Sequence, residues 1–273
     1  MKENLKVVIS GGGTGGHIFP AIAIADALKR RFPEADILFI GAKGRMEMER
    51  VPKAGYPIEG LWISGFTKDL KSLSLPFKLI SSLSKARRIL KRFQPDVVVG
   101  VGGFASGPTL KAANWLGIPT VIQEQNSYPG KTNRNLGAKA KAVCVAYNGL
   151  DRWFPQMKIH FTGNPLRANI NGDCDRAESA AYFGVNPEKP VIFVPLPTAA
   201  EDHQTKNAQQ LVDAGAALMV RNDETELVLV PKLQELLRDK NKQAEMRANI
   251  AQFARPNAAN DIVEVIMKEV NRA

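Results

Sequence analysis

Long apolar runs are missing from this sequence. No stretch approaches the ~18 consecutive apolar residues of a membrane span, and Met1-Lys2-Glu3-Asn4 leads into a strand-like run without a signal-peptide core. The expectation is a chain that stays in the cytoplasm. Cysteine is scarce: Cys144 lies in an apolar run and Cys174 in a polar linker, with no C-x-x-C pair and no ligand cluster around either. That argues against a disulfide framework and against structural zinc. Aromatic residues make up only 7%, few for base stacking, and no helix-turn-helix, zinc-finger or RNP-like segment is present. Nucleic acid is therefore not an expected partner. With 44% apolar and 23% charged residues over 273 positions, disorder is not implied either. The chain has room for one large domain or two modest ones.

What the sequence has in excess is positive charge, unevenly placed. The net charge is +10, and residues 1–150 hold more than twice as many Lys and Arg as Asp and Glu, whereas 151–273 are close to balance. A basic half beside a near-neutral half suits a polyanion or an anionic membrane on one face. Glycine is concentrated as well. Residues 10–20 read S-G-G-G-T-G-G-H-I-F-P, between an apolar run at 5–9 and an amphipathic one at 21–31. Glycine reaches φ > 0 cheaply and lets a ligand approach the main chain, so this strand-to-helix turn forms a cradle of N–H groups at a positive helix end. Such a cradle suits a diphosphate. The loop also satisfies G-x-G-x-x-G through Gly11, Gly13 and Gly16, which makes a dinucleotide site the first rival. That site needs an acid just past the second strand. Here 37–40 runs into Gly41-Ala42-Lys43, and Asp36 stands at the other end. His17 falls where the turn gives way to the helix, placed to act as a base, as a donor to phosphate, or as a cap on the turn.

The first half alternates strands (5–10, 37–40, 58–63, 96–101, 120–123, 142–146) with helices (20–31, 45–54, 76–93, 107–116, 131–136). Val/Ile-rich strands in such alternation predict an α/β fold with a parallel, doubly wound sheet and a ligand at the carboxyl ends of its strands. Two further loops fall there. Residues 100–108, G-V-G-G-F-A-S-G-P, again place glycines between a strand and a helix, and Gln123-Glu124-Gln125-Asn126 offers side chains suited to a sugar or an amide. Two phosphate-sized cradles imply one diphosphate ligand or two phosphorylated ones.

The stretch 76–93 sets Leu79, Ile80, Leu83, Ala86, Leu90 and Phe93 at helical spacing, with Lys85, Arg88 and Arg92 on another side. Leu73-Ser74-Leu75-Pro76-Phe77 precedes it beside Lys68, Lys71 and Lys78. Two readings stand: an ordinary helix packed on the sheet, or an interfacial patch dipping apolar side chains into a bilayer, at ~1 kcal/mol per cation near anionic headgroups. Gly163-Asn164-Pro165-Leu166-Arg167 reads as a hinge. Asp173-Cys174-Asp175 resembles a D-x-D metal pair, yet helix capping explains it better. Beyond Arg167 only two strands are legible, 191–194 and 216–220, where a doubly wound domain wants about five or six. Helices are expected near 227–239, 241–253 and 260–270.

Taken in order, G-G-T-G-G-H, G-V-G-G-F-A-S-G-P, Q-E-Q-N and G-N-P-L-R make the chain similar to the MurG family of bacterial peptidoglycan glycosyltransferases. The resemblance runs from residue 5 to about residue 192 and resumes at Pro195-Leu196-Pro197 and at 201–208, E-D-H-Q-T-K-N-A. It implies a GT-B-like fold of two Rossmann-like doubly wound parallel-sheet domains. Residues 1–163 would be the acceptor and membrane-facing domain, and 164–273 a UDP-sugar donor domain that is incomplete, with a gap near 192/193. It further implies an inverting, β-1,4-forming transfer of N-acetylglucosamine from UDP-N-acetylglucosamine to an undecaprenyl-diphosphate-linked muramyl-pentapeptide, lipid I to lipid II, with no metal or other cofactor. The expected location is peripheral, on an anionic membrane surface at the cytoplasmic face of the bacterial inner membrane. By the same resemblance His17 is the base, and Thr14, Gly15, Gly16, Asn126, Arg167 and Gln204 contact the donor. Gly13, Gly102, Gly103 and Ser106, in the two glycine loops, hold the acceptor diphosphate. The family's His-Glu-Gln-Asn begins here with Gln123. The glycine-serine loop, several βα units and the G-A-x-T-x-x-E segment of the family are absent. A continuous chain could then be an inactive lipid-diphosphate-binding remnant.

Overall fold

The computed structural model describes residues 4–64, 75–166, 190–199 and 202–272. The calls on Arg167, on 173–175 and on the approach at Lys68, Lys71 and 73–74 lie outside them.

The first unit is built on a parallel seven-stranded sheet. Its strands are β1 (Lys6–Gly11), β2 (Asp36–Ala42), β3 (Ile58–Leu61), β4 (Val97–Gly102), β5 (Thr120–Glu124), β6 (Ala142–Val145) and β7 (Ile159–Phe161), in the order β3-β2-β1-β4-β5-β6-β7. The connecting helices are α1 (Gly15–Arg31), α2 (Glu47–Lys53), α3 (Leu75–Phe93), α4 (Ser106–Trp115) and α5 (Lys131–Gly137). Strands covered on both faces read as unbroken apolar runs, and β4 is buried throughout. Alternate residues serve opposite layers. Val7, Ile9, Val97 and Val99 pack with Ile22, Ile24 and Leu28 of α1, while Val8, Leu38, Ile40 and Val98 pack with Ala86 and Leu90 of α3 and Ala112 of α4.

The strand order reverses between β1 and β4, which pair in parallel with Gly11 opposite Gly102. In open α/β sheets this reversal opens a crevice at the carboxyl ends of the strands. Both glycine loops leave the sheet there.

The second unit holds a separate two-stranded parallel sheet, β8 (Ile192–Phe193) beside β9 (Leu218–Met219), with helices α6 (His203–Asp213), α7 (Thr225–Arg238) and α8 (Lys240–Ala251). Both strands and the helices α7 and α8 were legible in the sequence, whereas α6 was not expected. The last helix, α9 (Ala258–Asn271), departs from the expected boundary. Residues 164–273 read as one domain from sequence, yet Asn257–Ala273 belongs with the first unit. The reason is its apolar stripe: Ile262, Val263 and Ile266 are buried in the same core as α1 and β4. Arg31 of α1 pairs with Glu264 at its edge.

Candidate active site

Thr14 takes the extended conformation that opens α1, but its side chain makes no capping bond. Its Oγ1 instead lies 3.2 Å from His17 Nδ1, and the His17 N–H donates to Thr14 O at 3.1 Å. A bond at Nδ1 fixes the ring, and its other edge turns toward the second glycine loop. At Gly102, where φ is +94°, a Cβ would stand 2.8 Å from His17 Nε2 and 3.7 Å from Asn133 Nδ2. At Gly103 it would meet the carbonyl oxygen of Gly12 at 2.2 Å. The two loops therefore touch, main chain to main chain, with the imidazole between them. Thr14 and His17 of the first loop thus meet Gly102 of the second, while Gly15 and Gly16 stand at the start of α1 and Ser106 at the start of α4.

The third loop behaves differently. Gln123 and Glu124 are buried and tied inward. Gln123 Nε2 donates to Asn164 Oδ1 at 3.2 Å, and Glu124 Oε2 accepts from Asn133 Nδ2 at 2.9 Å and from the Gly130 N–H at 3.2 Å. Gln125 Nε2 donates to Val101 O at 2.9 Å. Much of the run's hydrogen-bonding capacity thus braces β4, β5, the start of α5 and the turn after β7. Ser106 Oγ, Gln125 Oε1 and Asn133 Oδ1 are buried without a partner among the described residues. Buried polar atoms are normally paired, so these three mark places for a polar ligand or water.

In the second unit, which includes Asn126–Tyr128, Asn207 Nδ2 donates to Asn126 Oδ1 at 3.1 Å and Asn207 Oδ1 accepts from the Ser127 N–H at 2.9 Å. Lys206 Nζ sits 3.6 Å from the Tyr128 ring centroid. Gln204 Oε1 accepts from the Leu196 N–H at 2.9 Å, which holds the strand-end turn against α6. A cavity of about 350 Å³ opens at the carboxyl ends of β8 and β9, lined by Pro195, Pro197, Asp202, Thr205, Arg221 and Asn222 among others. Sequence reasoning missed Glu47, Asn133 and Asn207. Asn207 stands inside the E-D-H-Q-T-K-N-A segment, so the signal for it was present. Glu47 and Asn133 act across distances in the chain that no local pattern marks.

The N-terminal domain model of glycosyltransferase family 28 matches residues 7–145, and its C-terminal domain model matches 185–262. The UDP-N-acetylglucosamine--N-acetylmuramyl-(pentapeptide) pyrophosphoryl-undecaprenol N-acetylglucosamine transferase of Christiangramia forsetii is 39% identical, with 99% of both chains covered. The protein of the same name from Phocaeicola vulgatus is 39% identical over 98% of this chain and 97% of its own. This chain belongs to the MurG family.

Among solved structures, Acinetobacter baumannii MurG superposes with a TM-score of 0.78 at 26% identity, covering 97% of this chain and 99% of that one. UDP-GlcNAc 2-epimerase from Neisseria meningitidis, at 13% identity and a TM-score of 0.60, shares the fold alone. The alignment with the Christiangramia forsetii relative extends over 363 positions and covers both chains almost end to end, whereas this chain has 273 residues. An internal stretch of that MurG relative therefore has no counterpart here. This agrees with a second sheet of two strands among the described residues.

Proposed function

We propose that this MurG-family chain is the inverting transferase that moves N-acetylglucosamine from UDP-N-acetylglucosamine to the muramyl sugar of lipid I, forming lipid II. The observation that carries the reading is the His17 ring held between two touching glycine loops at the β1/β4 reversal. In the proposed reaction His17 takes the proton of the acceptor hydroxyl as its oxygen bonds to the anomeric carbon. The bond from that carbon to the diphosphate oxygen breaks on the opposite face, and UDP leaves with the electron pair. N–H groups in the first turn of a helix have no intrahelical acceptor, so Gly15 and Gly16 at the start of α1 are suited to phosphate oxygens. The second glycine loop, through Gly102, Gly103 and Ser106, is assigned with Gly13 to the acceptor diphosphate. Thr14, Gly15, Gly16, Asn126, Arg167 and Gln204 are assigned to the donor.

The acceptor is a lipid, and the surface of α3 supports docking on an anionic membrane. Phe77 and Ile80 are 72% and 66% exposed, beside half-exposed Leu79 and Trp62. Lys78 lies over the Trp62 ring at 5.7 Å. Among the described residues no helix is long and apolar enough to cross a membrane, so contact would be peripheral.

One observation favours a second reading. The missing internal stretch and the two-stranded second sheet fit a protein that keeps the lipid-diphosphate site and has lost the donor site. Transfer of labelled N-acetylglucosamine from UDP to a lipid-linked muramyl acceptor, using a chain verified at 29.8 kDa, separates the two. Product with saturable donor dependence supports the transferase. Acceptor binding without product supports the remnant.

A further inference from the structure

We infer that Glu47 is the positioning residue that gives the first glycine loop its working shape, an inference that rests on the acceptor-diphosphate reading above. Glu47 opens α2 and is 1% exposed. Its Oε2 accepts the N–H of Gly13 at 2.9 Å, and its Oε1 accepts the N–H of Ala42 at 2.9 Å. A carboxylate taken out of water is costly unless such donors meet it, and the start of its own helix adds a favourable dipole. Two glycines make room for it. A Cβ at Gly12, where φ is +146°, would fall 2.2 Å from Glu47 Cδ, and one at Gly41 would fall 2.6 Å from Cγ.

A glycine-rich turn has many conformations open to it, and a ligand that must order the turn binds more weakly for it. The structure supplies two fixed points. Gly11 is paired in the sheet with Gly102, and Gly13 is bonded to Glu47 two residues later. Between them the chain has little freedom, and beyond them it enters α1 with the His17 ring against Gly102. The assignment of Gly13 to the diphosphate changes accordingly. Its N–H is committed to Glu47, which leaves the N–H groups of Gly15 and Gly16 as those presented to phosphate. Glu47 acts through the loop and touches no substrate.

The test uses the full chain, native and Glu47→Gln, with farnesyl diphosphate as a soluble prenyl diphosphate probe. Glutamine keeps the volume but turns an amide NH₂ toward one of the two main-chain donors. Gly13 amide exchange, followed by NMR, should quicken by about tenfold or more, while the Val143 amide in β6 stays unchanged. Probe affinity should fall by about tenfold, the usual scale for one charge-assisted hydrogen bond. If Glu47 acted only by repelling the ligand's charge, Glu47→Gln would bind the probe more tightly. That result, or unchanged Gly13 exchange, overturns the inference. Should the variant not fold, the native chain decides alone: Gly13 must exchange more slowly than Gly16, and equal rates refute the anchoring. A native chain that ignores farnesyl diphosphate speaks against the acceptor reading, and the Gly13 exchange still reports on Glu47.

Discussion

His17 is held from both sides, by Thr14 Oγ1 at Nδ1 and by the main chain of Gly102 against its far edge. This geometry leads to two expectations. Replacing His17 by alanine should lower transfer by about 10²- to 10⁴-fold, the usual range for one general base, with the thermal midpoint little changed because the ring is only half-buried. Near-normal turnover would leave the residue as a cap. Gly102→Ala approaches the same ring from the opposite loop. It combines a φ of +94° with a Cβ 2.8 Å from Nε2, so it should cost about 1–3 kcal/mol of stability and displace the imidazole. Urea unfolding reads the first effect and loss of transfer the second. A variant as active and as stable as the native chain would show that the loops do not pack so closely in solution.

At the scale of elements, α3 changes character along its length. Its C-terminal half packs on the sheet through Ala86, Ile89 and Leu90, while its start leaves Phe77, Leu79 and Ile80 exposed. The basic side divides too. Lys85 Nζ donates to Gly60 O at 2.8 Å and Arg92 pairs with Glu59, whereas Arg88 remains exposed. The double variant Phe77→Ser/Ile80→Ser should therefore bind anionic vesicles at least about tenfold more weakly, since each apolar side chain of this size is worth ~1.5–3 kcal/mol when buried. Its unfolding curve should match the native one. Unaltered sedimentation with vesicles would assign the patch to something other than lipid. Helix α9 carries a different expectation. Ile266 is fully buried in the first unit's core, and Ile266→Ala should destabilise that unit by about 2–5 kcal/mol, measurable by urea unfolding. A cost under about 1 kcal/mol would argue that the helix docks only loosely.

Across the whole molecule the two units are unequally equipped. The first has seven strands and layers on both faces of its sheet. Among the described residues the second has two strands, and α7 leaves Leu227 and Val230 82% and 57% exposed. Nucleotides bind in loops at the carboxyl ends of central strands, so fewer strands offer fewer such loops. We expect this chain to bind UDP-N-acetylglucosamine at least about tenfold more weakly than its Christiangramia forsetii relative, and insertion of that relative's internal stretch to recover most of the difference. Calorimetric titration of the three proteins is the check. Equal affinities would show that the two-stranded unit suffices for the donor.

The alternation of Val/Ile-rich runs with helical spacing determined the parallel sheet and its elements, because burial on both faces imposes that pattern locally. The glycine runs at 11–16 and 100–108 likewise marked the crevice, since close main-chain approach demands glycine whatever the surroundings. Even the shortage of strands among the described residues after 166 was legible. Only the tertiary structure decided what depends on contacts between distant segments. Strand order brought the two glycine loops together across some 90 residues of chain, and packing moved α9 into the first unit. Burial turned Gln123 and Glu124 inward, and a carboxylate 34 residues downstream was set under Gly13. No local propensity encodes such pairings, because an acid on a short helix looks the same in sequence whether it faces water or closes a loop.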